Sequence, residues 1–333
     1  MALPPKTKPA RRFSRLTIRA APRPKTAPVR FRRLLVPLDF SAAANAVLAA
    51  AMSLCKRFQA ELHLIHVYPV AYPAPAFMAS SVINSESQIA DAVRSHLQAV
   101  AKDHGLRSQR VRLHARAGRP YEEICRLARE LDIDLIMTAT RGRTGLKHLA
   151  LGSTAERVVR HAPCPVLVMH GPGRAASRFT PALRKILVAT DFSAGAARGL
   201  DYAKALAALF RAKLILLHSV DLHYYSTNPE YMLFDLPPLL AAAEKAGRDQ
   251  LQEVVAETES KNLKVEQTLA SGHAGEQVCR RARELNADLI VTATHGRTGL
   301  KHVLLGSTAE YIVRHASGPV LVVPSHQRPR IIS

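Results

Sequence analysis

At 333 residues, 47% of them hydrophobic, the chain is long enough for two ordinary folded units, each with its own core. Its formal net charge of +21, from 47 Lys plus Arg against 26 Asp plus Glu, would ordinarily point to an acidic partner such as nucleic acid or anionic lipid. No run approaches the ~18 apolar residues of a membrane span, and four cysteines without CxxC or zinc spacing exclude a disulfide framework, so no membrane contact and a cytoplasmic home are expected.

The charge is unevenly placed. Residues 1–33 hold eleven Lys or Arg and no acid, the first carboxylate being Asp39. Residues 1–30 form a basic leader too rich in proline and polar groups to bury apolar surface, and are expected to be disordered. The leader lacks the apolar core of a secretory signal; its acid-free composition also fits a transit peptide, against which the proline spacing argues. Without an RNA-recognition or helix-turn-helix pattern elsewhere, nucleic acid is expected to associate only non-specifically, through this leader.

From Phe31 onward, short apolar runs alternate with helical patterns. "RRLLVPLDF" reads as a strand, "SAAANAVLAAAMSLCKRF" as a helix and "ELHLIHV" as a second strand, followed by a helix from about Glu86 to Gly105. "RVRLHARAG", the helix "PYEEICRLAREL", "IDLIMTAT", a glycine loop, the helix "STAERVVRHA" and "CPVLVM" complete the first half. The strands "RKILVATDF", "AKLILLHSV", "KVEQTLASG", "ADLIVTAT" and "GPVLVVP" repeat the rhythm, with "RAASRFTPAL" as the linker between halves. Five strands rich in Val, Ile and Leu per half, separated by helices, predict α/β units with parallel sheets covered on both faces. His63 and His66 lie three apart on one strand, hence on opposite faces, so a metal site is not expected there.

The halves are copies. Across Met137–Met169 and Val291–Val323, 24 of 33 positions are identical, and "TRGRTGLKHLALGSTAE" from Thr140 recurs as "THGRTGLKHVLLGSTAE" from Thr294. Right-handed crossovers bring the strand C-termini to one edge of each sheet, where open α/β sheets bind ligands. Asp39 and Asp191 close the first strands there, and the glycine loops end at Gly152-Ser153-Thr154 and Gly306-Ser307-Thr308, where a helix begins. Glycine allows close backbone approach, and the first amides of a helix carry partial positive charge, a combination suited to phosphate. Purely structural readings stand beside this one. Ser153 to Glu156 and Ser307 to Glu310 also read as capping boxes, Gly145 and Gly299 as turn formers, and Asp39 as a helix cap.

The chain resembles a tandem member of the universal stress protein family. The family signature places a glycine, two residues, a second glycine, nine residues, then glycine followed by Ser or Thr. Gly142, Gly152 and Ser153 match it in the first half and Gly296, Gly306 and Ser307 in the second; Ala139 and Ala293 replace the first glycine. The resemblance implies two Rossmann-like domains of the adenine nucleotide alpha hydrolase-like type, at residues 31–170 and 184–324, each a five-stranded parallel sheet flanked by helices. Residues 171–183 would then be linker and 325–333 a C-terminal tail.

The same resemblance implies ATP or a related adenine nucleotide as ligand, with or without Mg²⁺. Asp39 and Asp191 would face adenosine, Val67 and Ser219 would lie near the base, and Gly142, Gly152, Ser153 and Thr154, with Gly296, Gly306, Ser307 and Thr308, would hold ribose and phosphates. Apart from the resemblance, the aromatic segments "YPVAYPAPAFM" and "DLHYYSTNPEYMLF" differ most between the halves, so any difference in ligand preference is expected to arise there, the alternative being that they pack in the core or on the partner half. The resemblance also implies pairing of the two copies as an intramolecular pseudo-dimer, Val166–Val168 lying antiparallel to Val320–Val322, with a further homodimer left open.

Enzymatic motifs are missing: there is no GxxxxGK[ST], no GxGxxG after a first strand and no nucleophile elbow. His295 is replaced in the first copy by Arg141, so a general base is not shared. The expected function is nucleotide-dependent conformation or interaction in stress response, with at most slow ATP hydrolysis; the alternative is a ligand-free scaffold that recruits proteins.

Overall fold

The computed structural model describes residues 31–69, 79–106, 110–140, 151–170, 183–221, 236–259, 263–296 and 305–325. The basic leader, Gly142 with the rest of 141–150, loop residues 297–304, most of the linker and most of both aromatic segments lie outside the described residues.

In the first half the elements run β1 (Arg33–Pro37), α1 (Ala42–Phe58), β2 (Glu61–Tyr68), α2 (Ala79–Asp103), β3 (Val111–Ala117), α3 (Pro120–Glu130), β4 (Leu135–Ala139), α4 (Ser153–His161) and β5 (Val166–Met169). The second half follows as β6 (Lys185–Ala189), α5 (Ala194–Phe210), β7 (Lys213–Val220), α6 (Leu236–Glu259), β8 (Val265–Ser271), α7 (Ala274–Glu284), β9 (Leu289–Ala293), α8 (Ser307–His315) and β10 (Val320–Val323). Helix α2 begins at Ala79, seven residues before the start expected from the sequence. No proline or glycine interrupts residues 79–86, so the helix propagates back through them.

Alternation along the strands explains why both faces must be covered. Leu34 and Val36 point into the layer of α1 and α2, Leu35 into that of α3 and α4; Ile186, Val188 and Leu187 repeat this in the second half. The inner strands are therefore apolar on both sides, the pattern of a parallel sheet between two helical layers, whereas the outermost strands carry polar residues, Arg112, His114 and Arg116 on β3 and Glu266 on β8. Helix α1 stops where Gln59 turns into the left-handed region at φ 58°, and α5 stops the same way at Arg211, φ 55°.

The ten strands form one sheet in the order β3-β2-β1-β4-β5-β10-β9-β6-β7-β8. Every pairing is parallel except the central one, where Val166, Leu167 and Val168 oppose Val322, Leu321 and Val320 in antiparallel register. This is the register expected for the pseudo-dimer. It pairs two short, wholly buried edges that would otherwise be open to aggregation.

Contacts above and below the seam lock the halves together. On one face Phe58 packs on Phe31 and Phe210 at ring separations of 5.0 and 6.5 Å, and Arg57 donates to the Leu209 carbonyl at 2.9 Å. On the other, Arg314 reaches across to Glu156 at 3.3 Å while keeping Glu310 at 2.7 Å. Both core clusters contain residues of both halves.

Candidate functional site

In each half the strand order reverses beside the first strand, β1 lying between β2 and β4, and β6 between β7 and β9. Such switch points leave a crevice outside the strand C-termini. In the second half this crevice is a cavity of about 520 Å³, walled by the ends of β6, β7 and β9, the face of α6 and the start of α8.

The first wall is a tight turn. After β6 the Asp191 carboxylate accepts the Ser193 amide at 3.0 Å, Phe192 takes φ 63°, and the Ser193 hydroxyl caps α5 by accepting the Ala196 amide at 3.2 Å. The first half repeats it: Asp39 Oδ1 accepts from the Ser41 amide and hydroxyl at 3.0 and 2.6 Å, Phe40 has φ 61°, and Ser41 caps α1. The cap is therefore the serine, and Asp39 braces the turn before it. Two bulky residues at positive φ is an uncommon, strained arrangement that the surrounding contacts must hold. The contacts are present: Phe192 packs on His218 at 4.5 Å, whose Nδ1 lies 2.9 Å from the Thr190 carbonyl, and Phe40 lies on His66 and His96 at 4.4 and 3.9 Å.

The second wall comes from β9. A Cβ placed on Gly296 would overlap Asp191 Oδ2, so the backbone runs against this carboxylate at a distance only glycine allows. The chain then returns at Gly306, whose amide donates to the Thr294 carbonyl at 2.8 Å; Gly152 bonds Thr140 the same way at 2.7 Å.

Helices α4 and α8 start differently from the capping-box expectation. Their N-caps are Gly152 and Gly306, with no side-chain cap, and Ser153 and Ser307 are already the first helical residues. The extended glycine carbonyl accepts the Glu156 or Glu310 amide at 2.9 Å, which fixes the helix start one residue earlier than a serine cap would. Glu156 turns to Arg160 and Arg314 rather than back to the cap. With the glycine amides spent on Thr140 and Thr294, the amides without an intrahelical partner are those of residues 153–155 and 307–309, at the positive end of the helix dipole.

The sequence-derived residues of the second half converge on the cavity: Asp191, Ser219, Gly296, Gly306, Ser307 and Thr308 all line it, as does Ala293. Ser219 also donates to the Gly272 carbonyl at 2.8 Å. In the first half Asp39, Gly152, Ser153 and Thr154 occupy the equivalent places, and Val67, half-buried, packs towards α3. His63 and His66 do diverge: His63 meets His114 under α3, whereas His66 stacks on Phe40. Among the described residues no three His, Cys, Asp or Glu side chains converge as a metal group.

Three contributors were not singled out in the sequence. His218 buttresses the Asp191 turn; its repetition as His66, 152 residues earlier, was a readable signal. Gly247 on α6 gives that ring room, since a Cβ there would stand 2.9 Å from His218 Cδ2. Ser325, the first residue of the expected C-terminal tail, bonds both Thr294 and His295.

Comparison with known proteins agrees with this architecture. The model of the universal stress protein family matches residues 30–170 and 182–324. A universal stress protein of Mycolicibacterium smegmatis is 27% identical over 312 residues, covering 89% of this chain and 97% of that protein. One from Methanocaldococcus jannaschii is 32% identical over 148 residues, covering 43% of this chain and 84% of its own length. Among crystal structures, a universal stress protein of Archaeoglobus fulgidus superposes with a TM-score of 0.63 at 21% identity, covering 88% of this chain and 98% of the other. No described helix is long and apolar enough to cross a membrane. With Gly152, Gly296 and Gly306 seated at the switch points and the family model matching both halves, the chain belongs to the universal stress protein family, as a tandem two-copy member.

Proposed function

We propose that the chain is a cytoplasmic adenine-nucleotide-binding protein that acts in stress response by ligand-dependent conformation or interaction rather than by turnover. The observation that carries this reading is the second-half cavity, whose floor is the uncapped N-terminus of α8 and whose wall is Gly296 held against Asp191. An uncapped helix start facing a cavity is a phosphate site made of backbone. The cavity's volume lies in the range of small-molecule pockets.

On this reading Gly296, Gly306, Ser307 and Thr308 hold ribose and phosphates, Asp191 faces the adenosine, and Ser219 lies near the base. Asp39, Val67, Gly142, Gly152, Ser153 and Thr154 take these places in the first half. The residues fit Mg²⁺ only as a companion of phosphate, because Mg²⁺ keeps several waters and needs few protein carboxylates. Arg141 in place of His295 leaves the two copies without a common general base, hence the assignment of binding without rapid hydrolysis.

The test is isothermal titration of the full chain with ATP, alongside thermal unfolding. Binding to the native state at one hundred times Kd stabilises it by about 2.7 kcal/mol. The double variant Gly152→Val with Gly306→Val, whose added side chains press on the Thr140 and Thr294 carbonyls, is expected to fold and lose both effects. No binding by wild type at millimolar ATP, or equal binding by the folded double variant, would replace this reading with the scaffold one.

A further inference from the structure

We infer that Ser325 is a positioning residue that preorganises the second ligand site and makes it tighter than the first; the inference rests on the adenine-nucleotide reading above. In both halves the strand ladder continues one bond past its regular end, Thr140 to the Met169 carbonyl and Thr294 to that of Val323, each at 2.9 Å. Only the second half has a serine two residues further on, where the first has Gly171.

Ser325 is buried and ties the ligand-facing segment from both sides. Its hydroxyl accepts the His295 amide at 3.0 Å and donates to the His295 carbonyl at 3.1 Å. Its own amide donates to Thr294 Oγ1, also at 3.0 Å. The peptide so clamped is the one leading into Gly296, which rests on Asp191.

A second observation shows that this clamp has been accommodated. A Cβ on Gly195, in the first turn of α5, would sit 2.7 Å from Ser325 Oγ and 2.9 Å from the His295 carbonyl oxygen. The first copy carries Ala43 at the position of Gly195 and Gly171 at that of Ser325, so the two copies hold reciprocal pairs. Glycine within a helix weakens it, and the second copy accepts that weakness where the serine and the His295 carbonyl that it holds both need the space. The first copy, with Gly171, has no side chain with which to make the clamp. Fixing a binding segment before the ligand arrives removes part of the ordering cost of association, which appears as affinity.

The experiment uses ATP titrations of the full chain in two backgrounds: Gly152→Val leaves only the second site, Gly306→Val only the first. The second site is expected to bind more tightly. Ser325→Ala is expected to weaken it about tenfold, the loss of hydrogen bonds to a buried peptide, and to leave the first site unchanged. The pair Gly195→Ala with Ser325→Gly, which installs the first copy's residues, is expected to bring the second site to the affinity of the first. Without ligand, hydrogen exchange at the peptide bearing His295 is expected to accelerate in Ser325→Ala. A lowered melting temperature with an unchanged second-site Kd would make Ser325 a structural bond and overturn the inference, as would equal affinities in the two starting backgrounds. Absence of ATP binding at both sites of wild type would instead remove the nucleotide reading, and the inference with it.

Discussion

Acid should weaken this fold through one pair of histidines present only in the first half. His63, 3% exposed, places Nδ1 3.0 Å from Nε2 of His114, with Glu61 3.4 Å from its other nitrogen. Arg112 and Arg116 on β3, Arg33 on β1, and Glu123, Arg126 and Glu130 on α3 complete the surroundings. Burial pushes the His114 imidazole down to about 4, helped by His63 and Arg116 and opposed by Glu130 and Glu61; burial likewise lowers His63. Both rings are therefore neutral in the native state near neutral pH.

As pH falls below about 6.5, the unfolded chain takes up protons that the native state refuses, so stability is lost progressively down to about pH 4. At 1.36 kcal/mol per pKa unit the gap for His114, from 6.5 to about 4, corresponds to at most about 3.4 kcal/mol, and solvent screening at a half-buried ring reduces this to about 1–2 kcal/mol. The perturbation is His114→Thr, the residue that the second half carries as Thr268. Urea unfolding followed by circular dichroism between pH 7.5 and 4.5 should show the variant losing about 1–2 kcal/mol less than wild type over that interval. Equal losses in the two proteins would refute the reasoning.

The helix starts give a second test: Ser41→Ala should cost about 1 kcal/mol, whereas Ser153→Ala and Ser307→Ala should stay within about 0.5 kcal/mol. Similar losses at all three, by chemical unfolding, would return the caps to the serines. At the seam, Leu167→Ala and Leu321→Ala should each cost about 2–5 kcal/mol, and the double variant should differ from their sum by about 0.5–3 kcal/mol, because the residues face each other across the antiparallel pair. Strict additivity would deny that contact.

The sheet was legible because its inner strands are apolar on both faces and bounded by polar turns. The seam was legible through the family resemblance of its short terminal strands. The helix starts were misread because Ser-Thr-Ala-Glu satisfies the capping-box pattern whatever residue precedes it. Only the fold shows that the glycine carbonyl already accepts the first helical bond. The candidate site was readable where the duplication repeats it, as at Asp191 and Gly306. Ser325 escaped because its counterpart is a glycine and the residue it displaces, at position 195, is distant in sequence. One polarity inversion also hid in plain view: Glu61 pairs with Arg112 in the first half, while Lys213 pairs with Glu266 in the second. The ion pair survives with its signs exchanged, so charge comparison position by position conceals a kept contact.

The antiparallel join between β5 and β10 has a directional consequence. Because strands within each half run parallel and the join reverses their sense, the carboxyl ends of the two halves open on opposite rims of the ten-stranded sheet. A globular partner settled on one rim covers the mouth of one copy and leaves the other open to solvent. Fusion of the two copies therefore turns the two crevices toward different sides of one continuous sheet, so a single contact surface cannot span both.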